Sequence, residues 1–519
     1  MEKNLKKIVI IVTLIGFAIA IRFAFEYLYN RFWYLLGVPQ DYGFLIRTLF
    51  LVFVIIMWLI GTLRSDNPYQ KLPWLLIFIF EPFVGILLFM SMGRSFKHSF
   101  RYIRRPLMHD DAYMTHETQY ANRKALKLDK ADEPYRNVFE TAYKTSYHPP
   151  YVGKTRVTVL KNGEAFYPDL LKEIDQATTF ILLEFYMARS DQRGTQVLEK
   201  LMEKADQGIQ VKVILDAFGS VGGDRVSRKM LRRLKRSAVD FVLNDPIYFP
   251  YFNTRMNYRN HRKIVVIDGR IGYTGGMNLG DEYDNSIPYS YYFRDTQVKL
   301  EGAAVKSLTS LFFKDYYYNT KKHVTEEGYY PHVEVPSSGV VQVLQSGPES
   351  DQAYIRDIYL KMIFNAKHSI KIMTPYMALD VETLTALKIA QSSGVNVDVI
   401  IPGIPDKILV YKVTKFFATT LVAHGIRVHQ YQKGFCHGKV LIVDDEIVSI
   451  GSYNLDNRSA VIDFEVTATF TNRDAVEEAV NQFNHDLKIS KTIDPHSWAH
   501  RPLRHRLFEG LLSLFTPII

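Results

Sequence analysis

"NHRKIVVIDGRIGYTGGMN", residues Asn260 to Asn278, places a histidine and a lysine before an apolar run and ends in two glycines and an asparagine. A second stretch, "FCHGKVLIVDDEIVSIGSYN", Phe435 to Asn454, repeats it in register. His261 falls on His437, Lys263 on Lys439, Asp268 on Asp444, Gly275 on Gly451 and Asn278 on Asn454, each displaced by 176 residues (437 − 261). Between Lys and Asp each copy carries four apolar residues, Ile264 to Ile267 and Val440 to Val443, a run that predicts a strand buried on both faces. The histidines are therefore expected at strand starts.

The doubling extends outward. "ATTFILLEFYMARSD" from Ala177 resembles "AKHSIKIMTPYMALD" from Ala366, and "GIQVKVILDAFGS" from Gly208 resembles "GVNVDVIIPGIPD" from Gly394. Each unit reads strand, helix, strand, which predicts an α/β fold with βαβ connections and mostly parallel sheets. Two homologous halves, 106–335 and 336–519, would each donate one motif to a shared site. A membrane region, 1–105, precedes them.

That region rests on composition. "FLIRTLFLVFVIIMWLIGTL", Phe44 to Leu63, and "LPWLLIFIFEPFVGILLFMSMG", Leu72 to Gly93, each approach the ~20 apolar residues that span a bilayer. Residues 8–27 form a third, weaker candidate, so two or three transmembrane helices are expected. The five Lys and Arg of "RSFKHSFRYIRR", Arg94 to Arg105, place the catalytic part on the cytoplasmic side of a multi-pass cell-membrane protein. Glu81, costly in lipid, is either functional or satisfied at the Pro82 kink. A net charge of +10 points to an anionic partner, nucleic acid or membrane; the apolar spans favour the membrane, and no nucleic-acid recognition module is present. The single cysteine, Cys436, excludes an intrachain disulfide and reads as a small buried filler rather than a nucleophile.

Two histidines brought together suit a two-step displacement at phosphorus. One neutral imidazole attacks and holds the phosphoryl group, while the other, protonated, gives its proton to the leaving oxygen. Lys263 and Lys439 can bind phosphate oxygens, and Asn278 and Asn454 add neutral donors for the charge that develops. No cofactor or metal is required. Each histidine needs a carboxylate to hold its tautomer. Asp295 in "YYFRDTQVKLEG" and Glu465 in "VIDFEVTATF" stand at comparable points of the two halves, 34 residues after His261 (295 − 261) and 28 after His437 (465 − 437). They are the expected orienting residues.

The doubled pattern His-x-Lys, Asp, Gly, Asn resembles the signature of the phospholipase D superfamily, and the N-terminal hairpin with "NPYQKLPW" and the tail "RPLRHRLFEGLLSLFTPI" resemble bacterial cardiolipin synthases. The resemblance implies condensation of two phosphatidylglycerols into cardiolipin and glycerol through a phosphatidyl-histidine, with phosphatidylglycerol and other anionic phospholipids as partners. It assigns the nucleophile to His261 and counts Asp268 and Asp444 with the catalytic motif. Yet four strand residues carry these two aspartates roughly 16 Å from the histidines, which predicts a structural role. Gly276 stands where Ser452 keeps the commoner residue. A membrane-bound phospholipase D hydrolase releasing phosphatidic acid would use the same residues and is the alternative. Two flanking segments are expected at the lipid interface or packed on the protein: the aromatic stretch Pro246 to Asn260, and a C-terminal helix with Leu503, Leu507, Leu511 and Leu514 on one face.

Overall fold

The structure, a computed structural model, describes residues 135–146, 148–246, 257–324, 327–350, 352–514 and 516, with isolated helical positions between 27 and 85. The chain divides into two units, Met1–Leu88 and Phe89–Ile519. Apart from those isolated positions, the expected membrane spans, Glu81 and most of the aromatic stretch 246–260 lie outside the described residues. Among the described residues no helix is long and apolar enough to cross a membrane.

Two mixed sheets form the second unit. The first runs Thr155–Lys161, Thr296–Gly302, Ile271–Gly275, Lys263–Ile267, Phe180–Phe185, Gln210–Asp216, Asp240–Asn244. Only the last two junctions are parallel; the other four are antiparallel. In the second sheet Ser369–Met373, Asn396–Pro402 and Arg427–Tyr431 pair in parallel. Val340–Ser346, Glu465–Phe470, Ile447–Gly451 and Val440–Val443 extend it antiparallel. The expectation of mostly parallel sheets is thus corrected. Runs such as Ile264 to Ile267 are buried on both faces, as a parallel strand would be, but here the cover is a second sheet on one side and helices on the other. Each motif strand also turns straight back as a hairpin, which only an antiparallel pair permits.

The sheets face each other. Val159, Ile264, Val298 and Leu300 of the first share one core with Val343, Ile400, Ile442 and Val448 of the second. The outer face of the first sheet is covered by the helices Asn162–Asp175, Gln192–Asp206 and Arg228–Arg236, and that of the second by Tyr354–Asn365, Val381–Ser392 and Ile408–Ala423. The early segment does not stay with the first sheet: the strand Tyr151–Val152 pairs with Val340–Val341, and the helix Arg136–Ser146 adds Val138 and Phe139 to the core beneath the second. Cys436 is fully buried in the core between the sheets, and burial pushes its thiol up, as expected of a filler.

Both motif hairpins close through residues with positive φ, Asp268 (51°) and Gly269 (62°) in one, Asp444 (54°) and Asp445 (57°) in the other, each turn sealed by a backbone bond of 3.1 Å, Arg270 N to Ile267 O and Glu446 N to Val443 O. Asp268 accepts from the backbone N–H groups of Thr178, Thr179 and Phe180 and from both threonine hydroxyls, at 2.7–3.0 Å. Asp444 takes Lys367, His368 and Ser369 N–H at 2.7–2.8 Å and the Tyr135 hydroxyl at 2.5 Å. Both tie the hairpin to the start of the neighbouring strand. Such bonds suit the structural role expected of these two residues, and none of them reaches a histidine.

Burial alone would raise the Asp268 carboxyl, but the donors from Thr179, Phe180 and Thr178 outweigh it and hold it below the ordinary value. Its folded value is depressed, so its stabilisation is present above the ordinary carboxylate range and is lost as pH falls through it. Asp268→Ala should cost about 3 kcal/mol at neutral pH, from unpaired buried donors and a turn that disfavours alanine. The deficit in thermal unfolding should shrink toward pH 3, and activity per folded molecule should stay near wild type.

Candidate active site

Each histidine is delivered by a backbone bridge to the other half. The segment before His261 runs beside the segment before Glu465: Phe464 N donates to Arg259 O (2.9 Å) and His261 N to Phe464 O (3.0 Å). The pseudo-symmetric partner does the same. Gly434–Cys436 pairs in parallel with Tyr292–Arg294, and His437 N donates to Arg294 O at 2.7 Å. As a result the carboxylates are exchanged. His261 Nδ1 meets Glu465 at 3.0 and 3.1 Å, and His437 Nδ1 meets Asp295 at 2.7 Å. Counting along the chain sets each carboxylate in the half of a histidine that it does not touch.

With Nδ1–H held by a carboxylate, Nε2 of both rings is the free, basic nitrogen. Lys263 and Lys439 each donate one bond to the carbonyl of their own histidine, at 2.6 and 2.5 Å, and keep two N–H donors apiece. Burial, then repulsion from the lysines, pushes His437 down to about 4 and His261 well below its ordinary value. Burial likewise brings Lys263 down to about 7 and Lys439 to about 8. Glu465 and Asp295 occupy the Nδ1 side of the two rings, so the groups left to meet a phosphodiester anion are the two Nε2 atoms and the remaining lysine donors.

The geometry has relatives. The family described as cardiolipin synthase, PLD-like domain, matches residues 170–284 and 359–487, the segments that carry the two motifs. A cardiolipin synthase of Geobacillus kaustophilus is 33% identical over 521 residues, spanning 100% of both chains. One of Alkalihalophilus pseudofirmus is 33% identical over 92% of this chain and 95% of its own. The chain belongs to the cardiolipin synthase family. Among solved structures, a phosphatidylserine synthase of Haemophilus influenzae superposes with a TM-score of 0.56 at 16% identity, covering 73% of this chain and 97% of its own, a likeness of fold.

Within this cardiolipin synthase fold the motif glycines are explained by close approach. A Cβ on Gly275 would stand 2.6 Å from Thr296 O, and one on Gly451 2.3 Å from Val466 O, so the strand bearing each carboxylate could not come as near. The Gly276/Ser452 difference is also resolved. A Cβ on Gly276 would lie 2.1 Å from the Asp295 carboxylate, whereas the longer Glu465 leaves room for Ser452, whose hydroxyl donates to it.

Asn278 uses one N–H on the Tyr283 hydroxyl (2.8 Å) and accepts from Met187 N, and the Tyr283 ring meets His437. Asn454 is buried, with its side-chain oxygen unpaired among the described residues.

The sequence reading missed other members of the site. Tyr186 and Tyr376 set ring edges toward His261 and His437, with centroids 5.1 and 6.5 Å apart. Their signal was present in the doubled "FYM" and "PYM", which read as part of the repeat and the resemblance and not as members of the site. Arg262 and Arg294 pin the halves together from full burial. Arg262 bonds Asp315, Glu349 and Glu465 O; Arg294 bonds Asp486 and Gln482. An arginine beside a motif residue is unremarkable in sequence, because only the fold reveals its burial.

Proposed function

We propose that the chain is a membrane phosphatidyltransferase that condenses two phosphatidylglycerols into cardiolipin and glycerol. The observation that carries this reading is the exchanged pairing, which leaves two imidazole Nε2 atoms beside two lysines. His261 Nε2 attacks phosphorus and the bond to the headgroup oxygen breaks; His437 supplies the proton, and glycerol leaves. The headgroup hydroxyl of a second phosphatidylglycerol then gives its proton to His437 and attacks phosphorus, and the P–N bond breaks to release cardiolipin. Lys263, Lys439, Asn278 and Asn454 hold the non-bridging oxygens. The bound anion opposes the lysine charges that depress both imidazoles, so substrate itself promotes protonation of His437. The family relatives support the reading by the reaction in their names. Two or three spans within 1–105 would anchor the halves 106–335 and 336–519 on the cytoplasmic side.

The test is to incubate purified full-length protein with vesicles of phosphatidylglycerol and resolve the products. Cardiolipin with free glycerol is expected, and added glycerol should suppress cardiolipin, because one phosphodiester is exchanged for another. Phosphatidic acid as the main product at every lipid density would make the protein a hydrolase.

kcat/KM should fall as pH rises through about 7–8. There Lys263 (about 7) and Lys439 (about 8) lose their protons in the free enzyme as pH rises, and with them the phosphate-binding charge. A profile flat from pH 7 to 9.5 would contradict the lysine assignment.

A further inference from the structure

The C-terminal helix Leu503–Ser513 is built inside out. Leu503, Leu507, Leu511 and Leu514 are 65, 64, 56 and 56% exposed, and at about 100° per residue they share one stripe roughly 80° wide. The opposite face buries Glu509, 2% exposed, whose carboxylate takes Arg501 at 3.0 Å. A helix that only docked on the protein would show the reverse.

The stripe leads to the active site. The helix runs antiparallel to Ile408–Ala423: Arg501 donates to Thr419 Oγ1 at 2.7 Å near one end, and Glu509 lies 3.9 Å from Lys412 toward the other. Its leucine-rich end therefore lies toward the start of Ile408–Ala423, where Ile404, Ile408 and Leu409 are also exposed. Lys407, just before, stands over the Tyr376 ring at 5.2 Å, and Tyr376 in turn meets His437. The charge of Lys407 is felt at His261. Arg504, Arg506 and Lys407 are exposed along this surface.

We propose that this face, the leucine stripe with Ile404, Ile408 and Leu409, rests on an anionic phospholipid bilayer, with the leucines at the boundary of headgroups and acyl chains and the basic residues among the headgroups. The proposal rests on the reading of the substrate as a bilayer phospholipid. It adds where lipid enters: beside Tyr376 and Lys407, from the membrane directly into the site. Charge complementarity favours a bilayer over a second copy of this basic chain.

Full-length Leu507→Cys, labelled with a polarity-sensitive fluorophore (Cys436 is buried), tests it in vesicles carrying a lipid-borne quencher. Blue-shifted emission quenched about twofold or more is expected in phosphatidylglycerol, with less quenching in phosphatidylcholine or high salt. Water-like, unquenched emission overturns the proposal. So does blue-shifted emission that the lipid quencher cannot reach, which would mean that another part of the chain or a second copy covers the stripe. As a second variant, Leu507→Glu with Leu511→Glu should raise KM for vesicle phosphatidylglycerol about tenfold and leave turnover of a soluble short-chain substrate unchanged. Equal loss on both substrates also overturns it. The fluorescence arm needs no turnover, so its failure is separable from failure of the catalytic reading.

Discussion

His261→Ala and His437→Ala should each lower cardiolipin formation on the order of 10⁴-fold or more, since the two act as one unit on phosphatidylglycerol, whose leaving group needs a proton. The fold should survive, because each side chain makes a single hydrogen-bonded contact, to Glu465 or Asp295, and the backbone bridges that join the halves remain. The variants should differ in one respect. With a phosphatidyl ester whose leaving group needs no proton, His437→Ala should still form a phosphatidyl-peptide adduct on His261, detectable by mass spectrometry after quenching. His261→Ala should form none. An adduct on His437 and none on His261 would reverse the roles, and no adduct under any quench would remove the covalent scheme.

Glu465→Gln and Asp295→Asn should each cost about 10²–10⁴-fold, the range expected when an imidazole loses the carboxylate that sets its tautomer and stabilises its charged form. The exchanged pairing adds a sharper expectation. Glu465→Gln, in the half of His437, should impair attack by His261, and the loss should be equally severe with the activated ester. Asp295→Asn, in the half of His261, should impair proton transfer by His437 and be largely rescued by it. Pairing within each half predicts the opposite assignment. Both variants need thermal unfolding as a control, because Glu465 also accepts from Ser452, and Asp295 from the backbone N–H of Thr296.

Much of the site was legible because its requirements are local. A histidine two or three residues before the strand, a lysine at or just before its start, an aspartate at the first positive-φ position of the turn and a glycine where a neighbouring strand comes close are each set by one residue and its spacing. Repetition at a constant displacement made coincidence implausible. Apolar runs showed which strands are buried, and the four-residue gap placed Asp268 and Asp444 away from the histidines. Strand direction was not legible. A strand covered on both faces reads the same whichever way its neighbours run, and hairpin pairing replaced the expected parallel arrangement.

The sequence by itself supplied the candidate groups: two histidines, two lysines and two carboxylates, with the membership of each motif. Tertiary structure alone decided who serves whom. A carboxylate's partner depends on which backbone segments form bridges, and here residues 259–261 pair with the segment before Glu465 while Gly434–Cys436 pairs with Tyr292–Arg294. Those bridges span about 200 residues in one case and about 140 in the other, and no local preference records separations of that size. The same holds for the buried arginines and the exposed leucine stripe. Burial belongs to the packed surfaces of both halves together, and no single residue's identity specifies it.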